Sequence, residues 1–149
     1  MNKKEKQFAN ILRKYFTQEK FFVDTIESRM TAAGIPDLLV LSPKGTQSLI
    51  ELKVVEADGI ISLTPGQKAW HSRRIMRHCP TKFIILFEER NQILIASGRR
   101  VMEWVLEKGG KVEIEKIPEE CWFDRKAADY SLLPYQALDL YFYSDRVYK

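Results

Sequence analysis

Apolar residues along this chain recur first at helical spacing and then at strand spacing. Between residues 4 and 18, Phe8, Ile11, Leu12, Tyr15 and Phe16 return every three to four positions, so they form one stripe of a helix. β-Favouring residues from Phe21 to Glu27 predict a strand. Asp37 to Leu41 and Ser48 to Val55 predict two more, joined through Ser42-Pro43-Lys44-Gly45-Thr46, a connection of hairpin length. Gly34 and Pro36 just before them break any helix and mark a loop.

A second helix is predicted from Pro65 to about His78. Thr64 is its N-cap, Pro65 occupies the first helical position, where a missing N–H costs nothing, and Pro80 lies just past its end. Phe83 to Phe87 is an unbroken apolar run, the pattern of a buried strand. Gln92 to Ala96 follows as another strand, linked through Glu89-Arg90-Asn91. Arg99 to Lys108 reads as a helix closed by Gly109-Gly110, and the alternation from Val112 to Ile117 predicts an edge strand. Leu132 to Tyr143 includes a short helix after Pro134. The tail tyrosines (Tyr130, Tyr135, Tyr141, Tyr143, Tyr148) suit core packing, a dimer contact or base stacking.

The order α-β-β-β-α-β-β-α predicts an α/β fold with a mixed central β-sheet flanked by helices. At 149 residues, one domain is expected, with a core over about 4–97 and a C-terminal α/β extension over about 98–149. The composition, 45% hydrophobic and 30% charged, is that of a globular protein. No apolar run approaches a membrane span and the first residues lack a signal-peptide core, so a cytoplasmic protein without membrane association is expected. Cys79 and Cys121 are far apart and form no CxxC pair, which favours free thiols over a zinc site or disulfide.

The net charge of +4 permits nucleic-acid binding, and its distribution says more. From Leu63 to Lys82 there is no Asp or Glu, yet Lys68, Arg73, Arg74, Arg77, Lys82 and both histidines, His71 and His78, fall there. A solvated helix face normally mixes signs. A single sign points to a phosphate-facing surface, with Lys68, Arg73, Arg74 and Arg77 as its DNA-contacting residues.

Candidate chemistry lies in the hairpin. Glu51 and Lys53 share one face of their strand, and Asp37 opens the strand before it. A Glu-x-Lys pair on an exposed strand is ordinarily just solvated. Here it is flanked by Leu49-Ile50 and Val54-Val55, which predicts a central strand where an unpaired charge is expensive. Two carboxylates at one point, with the backbone carbonyl of Leu52, suit Mg²⁺, with Mn²⁺ as a substitute, and need no organic cofactor. Lys53 adds the means to handle an anionic substrate.

Gly34-Ile35-Pro36-Asp37, followed after thirteen residues by Glu51-Leu52-Lys53, resembles the PD-(D/E)xK nuclease signature. Leu63-Thr64-Pro65-Gly66-Gln67-Lys68-Ala69-Trp70 resembles the downstream Q-x-x-W helix of the VRR-NUC branch and its phage-encoded relatives. The resemblance spans about residues 5 to 88. It implies a restriction-endonuclease-like core of order α-β-β-β-α-β, with Asp37 and Glu51 as metal ligands, Lys53 as the catalytic lysine and Gln67 orienting a phosphate or water. It also implies a glutamate on the first helix. Glu5 is the choice because Glu19 comes too late, while its alternative role is a favourable charge in a helix's first turn. Glu27 is a further carboxylate for the metal or the surface. Trp70 reads as a core anchor ahead of a base-stacking residue, and the histidines are not required by a metal–lysine site.

The activity so implied is metal-dependent DNA endonuclease action, structure-selective toward Holliday junctions or flaps, in recombination, repair or phage replication. It comes with a homodimer and, if phage-encoded, a host-cytoplasmic location. A non-catalytic nucleic-acid-binding module of the same fold and a sequence-specific restriction-type enzyme are the competing readings. Retention of Asp37, Glu51, Lys53 and Gln67 together argues against the first, and the small chain argues against the second.

Overall fold

A computed structural model describes residues 1–26 and 33–124. Helix α1 (Lys3–Gln18) is followed by strands β1 (Phe22–Thr25), β2 (Leu38–Leu41) and β3 (Gln47–Val55). Helix α2 (Pro65–Met76), strands β4 (Lys82–Phe87) and β5 (Gln92–Ser97), helix α3 (Gly98–Glu107) and strand β6 (Trp122–Asp124) complete the described part. The six strands lie side by side in chain order. Every neighbouring pair is antiparallel except β3 and β4, which are parallel and connected through α2. The mixed sheet and the leading order α-β-β-β-α-β are those expected. The predicted short helix at 132–143 and the tail tyrosines lie outside the described residues, as does Glu27.

The pleat divides the apolar residues between two faces. Leu38, Val40, Ile50, Leu52, Ile84, Leu86, Ile93 and Ile95 form one core with the stripe of α1, in which Phe8, Leu12 and Phe16 are buried. Truncating the fully buried Leu12 to Ala would cost about 2–5 kcal/mol. On the opposite face Phe83, Ile85, Phe87, Leu94 and Ala96 pack with Val101 and Trp104 of α3. β4 is therefore buried on both sides, which explains its unbroken apolar run.

The β2–β3 connection is a true hairpin. Ser42 Oγ accepts from the amides of Lys44 and Thr46, and Ser42 N–H donates to Thr46 O at 2.8 Å. The resulting register sets Leu38 opposite Ile50. Asp37, one residue earlier, therefore faces Glu51.

One predicted element is corrected. Val112–Ile117 is not an edge strand. After the Gly109-Gly110 turn the chain makes a single bridge, Ile60 with Lys111, and then a 3₁₀ turn at Ile114–Lys116. Val112 and Ile117 are both buried, anchoring this turn on the α3 side of the sheet. A five-residue interval between buried positions matches neither a strand nor an α-helix. Instead β6 pairs with β5, setting Phe123 opposite Ile93.

Candidate active site

The hairpin register brings two carboxyl groups together in the interior. Asp37 is 3% exposed and Glu51 is fully buried. The ladder between β2 and β3 ends at Leu38 and Ile50, leaving the amide of Leu52 beyond it. The Asp37 side chain takes that place: its Oδ2 accepts from Leu52 N–H at 3.0 Å. In an extended strand the N–H and C=O of one residue point to the same edge, so the Leu52 carbonyl faces this edge too. The Asp37 and Glu51 carboxyl groups stand close enough to influence each other's titration. Burial, followed by the neighbouring Glu51, pushes Asp37 up to about 8. Burial likewise raises Glu51.

Lys53, two residues along the same strand face, donates from Nζ to Gln67 Oε1 at 3.1 Å. Gln67 is held by the start of α2. Thr64 Oγ1 accepts from Gln67 N–H at 3.2 Å, and Gln67 Oε1 accepts from Thr64 N–H at 3.0 Å, a reciprocal capping box. Both partners of that oxygen are donors, which fixes the amide's orientation and leaves its NH₂ as a donor toward the surroundings. Gln67 thus spans two roles: it closes the helix start and it positions Lys53.

Gly34 ties the loop before Asp37 to the same helix start. Its φ is +98°, a region that favours glycine, and a Cβ there would lie 2.1 Å from Gly66 O and 3.0 Å from Gln67 N. The Gly34-Ile35-Pro36-Asp37 run is thereby seated against α2, so one glycine sets the distance between Asp37 and Gln67.

Glu5 joins from the other layer. It stands in the first turn of α1, with its amide donating to Asn2 Oδ1 at 2.8 Å, and is 8% exposed. Burial raises its pKa, the charge of Lys53 opposes that rise, and the charge of Asp37 adds to it. Glu5 and Lys53 line a cavity of about 210 Å³ with Asn2, Glu56, Asp58 and Ser62. Glu19 caps the far end of α1, about 20 Å from Glu5 at 1.5 Å per residue.

His71 is the residue that sequence reasoning undervalued. It is fully buried, its Nε2 lies 3.5 Å from Glu51 Oε1, and its ring packs between Trp70 and Phe83. Burial, with the charges of Arg74 and Lys53, lowers its pKa to about 4, so it is neutral at neutral pH. The only available signal was its place one turn after Gln67 on the same helix face. His78, by contrast, is exposed and lies just past α2 with φ of 58°, where it turns the chain away.

The basic residues of α2 divide by helical angle. Arg73, Arg74 and Arg77 lie on the flank that carries Trp70, and Lys68 lies on the opposite flank with Ile75. Trp70 is 5% exposed, which makes it a core anchor, and the Arg74 guanidinium sits 3.6 Å over its ring.

The residues present fit a hard divalent cation. Glu51 Oε2 is buried with no hydrogen-bond partner, beside a second carboxyl group and a carbonyl-bearing edge. Burial raises both carboxyl pKa values, and a bound cation would offset the cost of charging them there. Among the described residues, no three His, Cys, Asp or Glu side chains form a complete ligand set. A site of two carboxylates with water completing the shell is the mode of Mg²⁺ rather than of zinc.

No family model matches this chain, and no curated protein matches it. One solved structure that it resembles is a "VRR_NUC domain". The two are 24% identical, the match covers 56% of this chain and 85% of that one, and the TM-score is 0.44. A likeness at that level bears on neither activity nor substrate.

Proposed function

We propose that the protein is a metal-dependent endonuclease that hydrolyses DNA phosphodiester bonds, selective for branched structures such as junctions or flaps. The observation that supports this reading is the convergence of Asp37 and Glu51, with one buried carboxylate oxygen unpartnered, beside the Lys53–Gln67 pair. Asp37, Glu51 and the Leu52 carbonyl would hold Mg²⁺, or Mn²⁺ in its place, with Glu27 as a further candidate. When bound, the cation supplies Lewis acidity toward a phosphoryl oxygen.

The chain's own groups do the rest. Lys53, held at Nζ by Gln67, sets a positive charge where negative charge develops on the phosphorus oxygens. The Gln67 NH₂ donates to a phosphate oxygen or to the attacking water. Glu5, buried close to Lys53 and Asp37, restrains the lysine electrostatically and accepts a proton at the site's edge. Arg73, Arg74, Arg77 and Lys68 neutralise flanking phosphates, which gives salt-sensitive affinity without sequence readout. Cutting two strands of a junction would call for a homodimer.

The test is incubation with Mg²⁺ and, separately, a four-way junction, a flapped duplex and a linear duplex, with products resolved on denaturing gels. Cleavage of the branched substrates ahead of the linear one is expected. No cleavage of any of them, with Mg²⁺ or Mn²⁺, overturns the enzymatic reading. Cutting at one duplex sequence would replace it with a restriction-type enzyme.

A further inference from the structure

The strand face that carries Glu51 and Lys53 also carries Leu49 and Gln47. At about 3.4 Å per residue these lie roughly 7 and 14 Å back along β3 from Glu51. There the face opens into a groove of about 480 Å³, lined by Leu39, Leu49, Ser48, Trp70, Arg74 and Lys82, among others. Leu39 and Leu49 sit opposite each other in the β2–β3 ladder, and both are only half-buried. The helix α1 packs on the other side of the sheet, so it does not cover them.

Two chemical features define what the groove takes. Its floor is apolar, and its wall is cationic with no acid: residues 63–82 contain no Asp or Glu. Arg74 is anchored by the Trp70 ring and makes no side-chain hydrogen bond or ion pair among the described residues. A guanidinium fixed on an indole is already ordered, so little side-chain entropy is lost when it binds. It offers a planar cation for stacking and a fork of donors for phosphate.

We infer that this groove receives one unpaired nucleotide of the strand being cut, next to the scissile phosphate. The base lies on Leu39 and Leu49 against the Arg74 guanidinium, whose free donors meet its phosphate. The groove's volume falls in the range of small-ligand sites. A base still paired in a duplex is buried in its own stack and cannot enter. A nucleotide from a flap, a gap or an opened junction enters without an unstacking cost. The inference rests on the nuclease reading and narrows its substrate: the site selects DNA by the presence of an unpaired nucleotide rather than by the angle of a branch.

The test is binding by fluorescence anisotropy in EDTA, using a labelled twelve-residue oligothymidine and a twelve-base-pair duplex with the full chain. Wild-type protein is expected to bind the single strand about tenfold more tightly than the duplex, the scale of one base stacked on a protein side chain. Leu49→Trp, which fills the groove from its floor, should bring that ratio near one. Gln47→Trp, at an exposed position on the same rim, provides a second blocking variant should the first fail to fold. Equal or tighter binding of the duplex by wild-type protein overturns the inference. So does an unchanged ratio in folded blocking variants. Because no cation is present, the outcome is separate from catalysis: a groove-dependent single-strand preference with no cleavage in Mg²⁺ sinks the nuclease reading and leaves the groove standing.

Discussion

Raising the pH of the metal-free protein should destabilise it, and the Asp37→Asn variant identifies the share that Asp37 carries. Its carboxyl group titrates near 3.8 when unfolded and at about 8 when folded, so between those values the folded state holds a proton that the unfolded state has released. Stability from this group is complete below pH 3.8 and is lost as pH rises through about 8. One proton corresponds to about 1.4 kcal/mol per pH unit. His71 acts in the opposite sense. Its folded pKa of about 4 lies below the ordinary 6.5, so its contribution is complete above 6.5 and is lost as pH falls toward 4. From pH 4 to 6.5 the two slopes oppose each other. From 6.5 to 8 nothing opposes Asp37; Glu51 and Glu5, raised by burial, act in the same sense, and roughly 2 kcal/mol should disappear through Asp37 itself. Urea unfolding at half-unit pH steps in EDTA measures this directly. Asp37→Asn should flatten the alkaline limb, and saturating Mg²⁺ should do the same in the wild type, because a cation replaces the proton. A wild-type stability that holds level or rises between pH 6.5 and 8, or an Asp37→Asn variant with the same alkaline loss, would refute the assignment to Asp37.

Three further perturbations separate the roles of individual residues. Lys53→Ala should reduce cleavage by at least about a hundredfold while leaving DNA affinity within about twofold; loss of the folded circular-dichroism signal would instead mark the lysine as structural. Gly34→Ala should destabilise the chain by about 1–3 kcal/mol in urea unfolding and slow cleavage, since the new methyl group must push Gly66 and with it Gln67; a neutral result would show that α2 does not fix the site. Arg77→Ala should lower the magnitude of the slope of log affinity against log salt by about one for duplex DNA of any sequence, and a change in sequence preference would contradict the phosphate-contact role.

Local signals made most of the fold legible. Thr64-Pro65 and the Gln67 three residues after the cap announce the start of α2, and the capping box there uses those side chains. The stripe of α1 and the unbroken apolar run of β4 follow directly from which faces are covered. The site's geometry was legible where it depends on strand parity: Glu51 and Lys53 share a face, and a short hairpin sets Asp37 opposite Glu51. Features created by tertiary contact were not legible. His71 reaches Glu51 only because α2 lies over β3 and β4, and Gly34 is constrained by the Gly66 carbonyl, thirty-two residues away in sequence. β6 is three residues long and shows no periodicity of its own, whereas Val112 to Ile117 alternates without pairing because the Gly109-Gly110 turn carries it off the sheet.

The most direct test of the central claim is a crystal of the protein soaked in Mn²⁺, with anomalous differences collected. A peak bonded to carboxylate oxygens of Asp37 and Glu51 and to the Leu52 carbonyl at about 2.1–2.3 Å, with Lys53 alongside and absent from its ligand shell, is the predicted result. Well-ordered Asp37 and Glu51 carboxyl groups with no anomalous peak between them at saturating Mn²⁺ and pH 8 would contradict it.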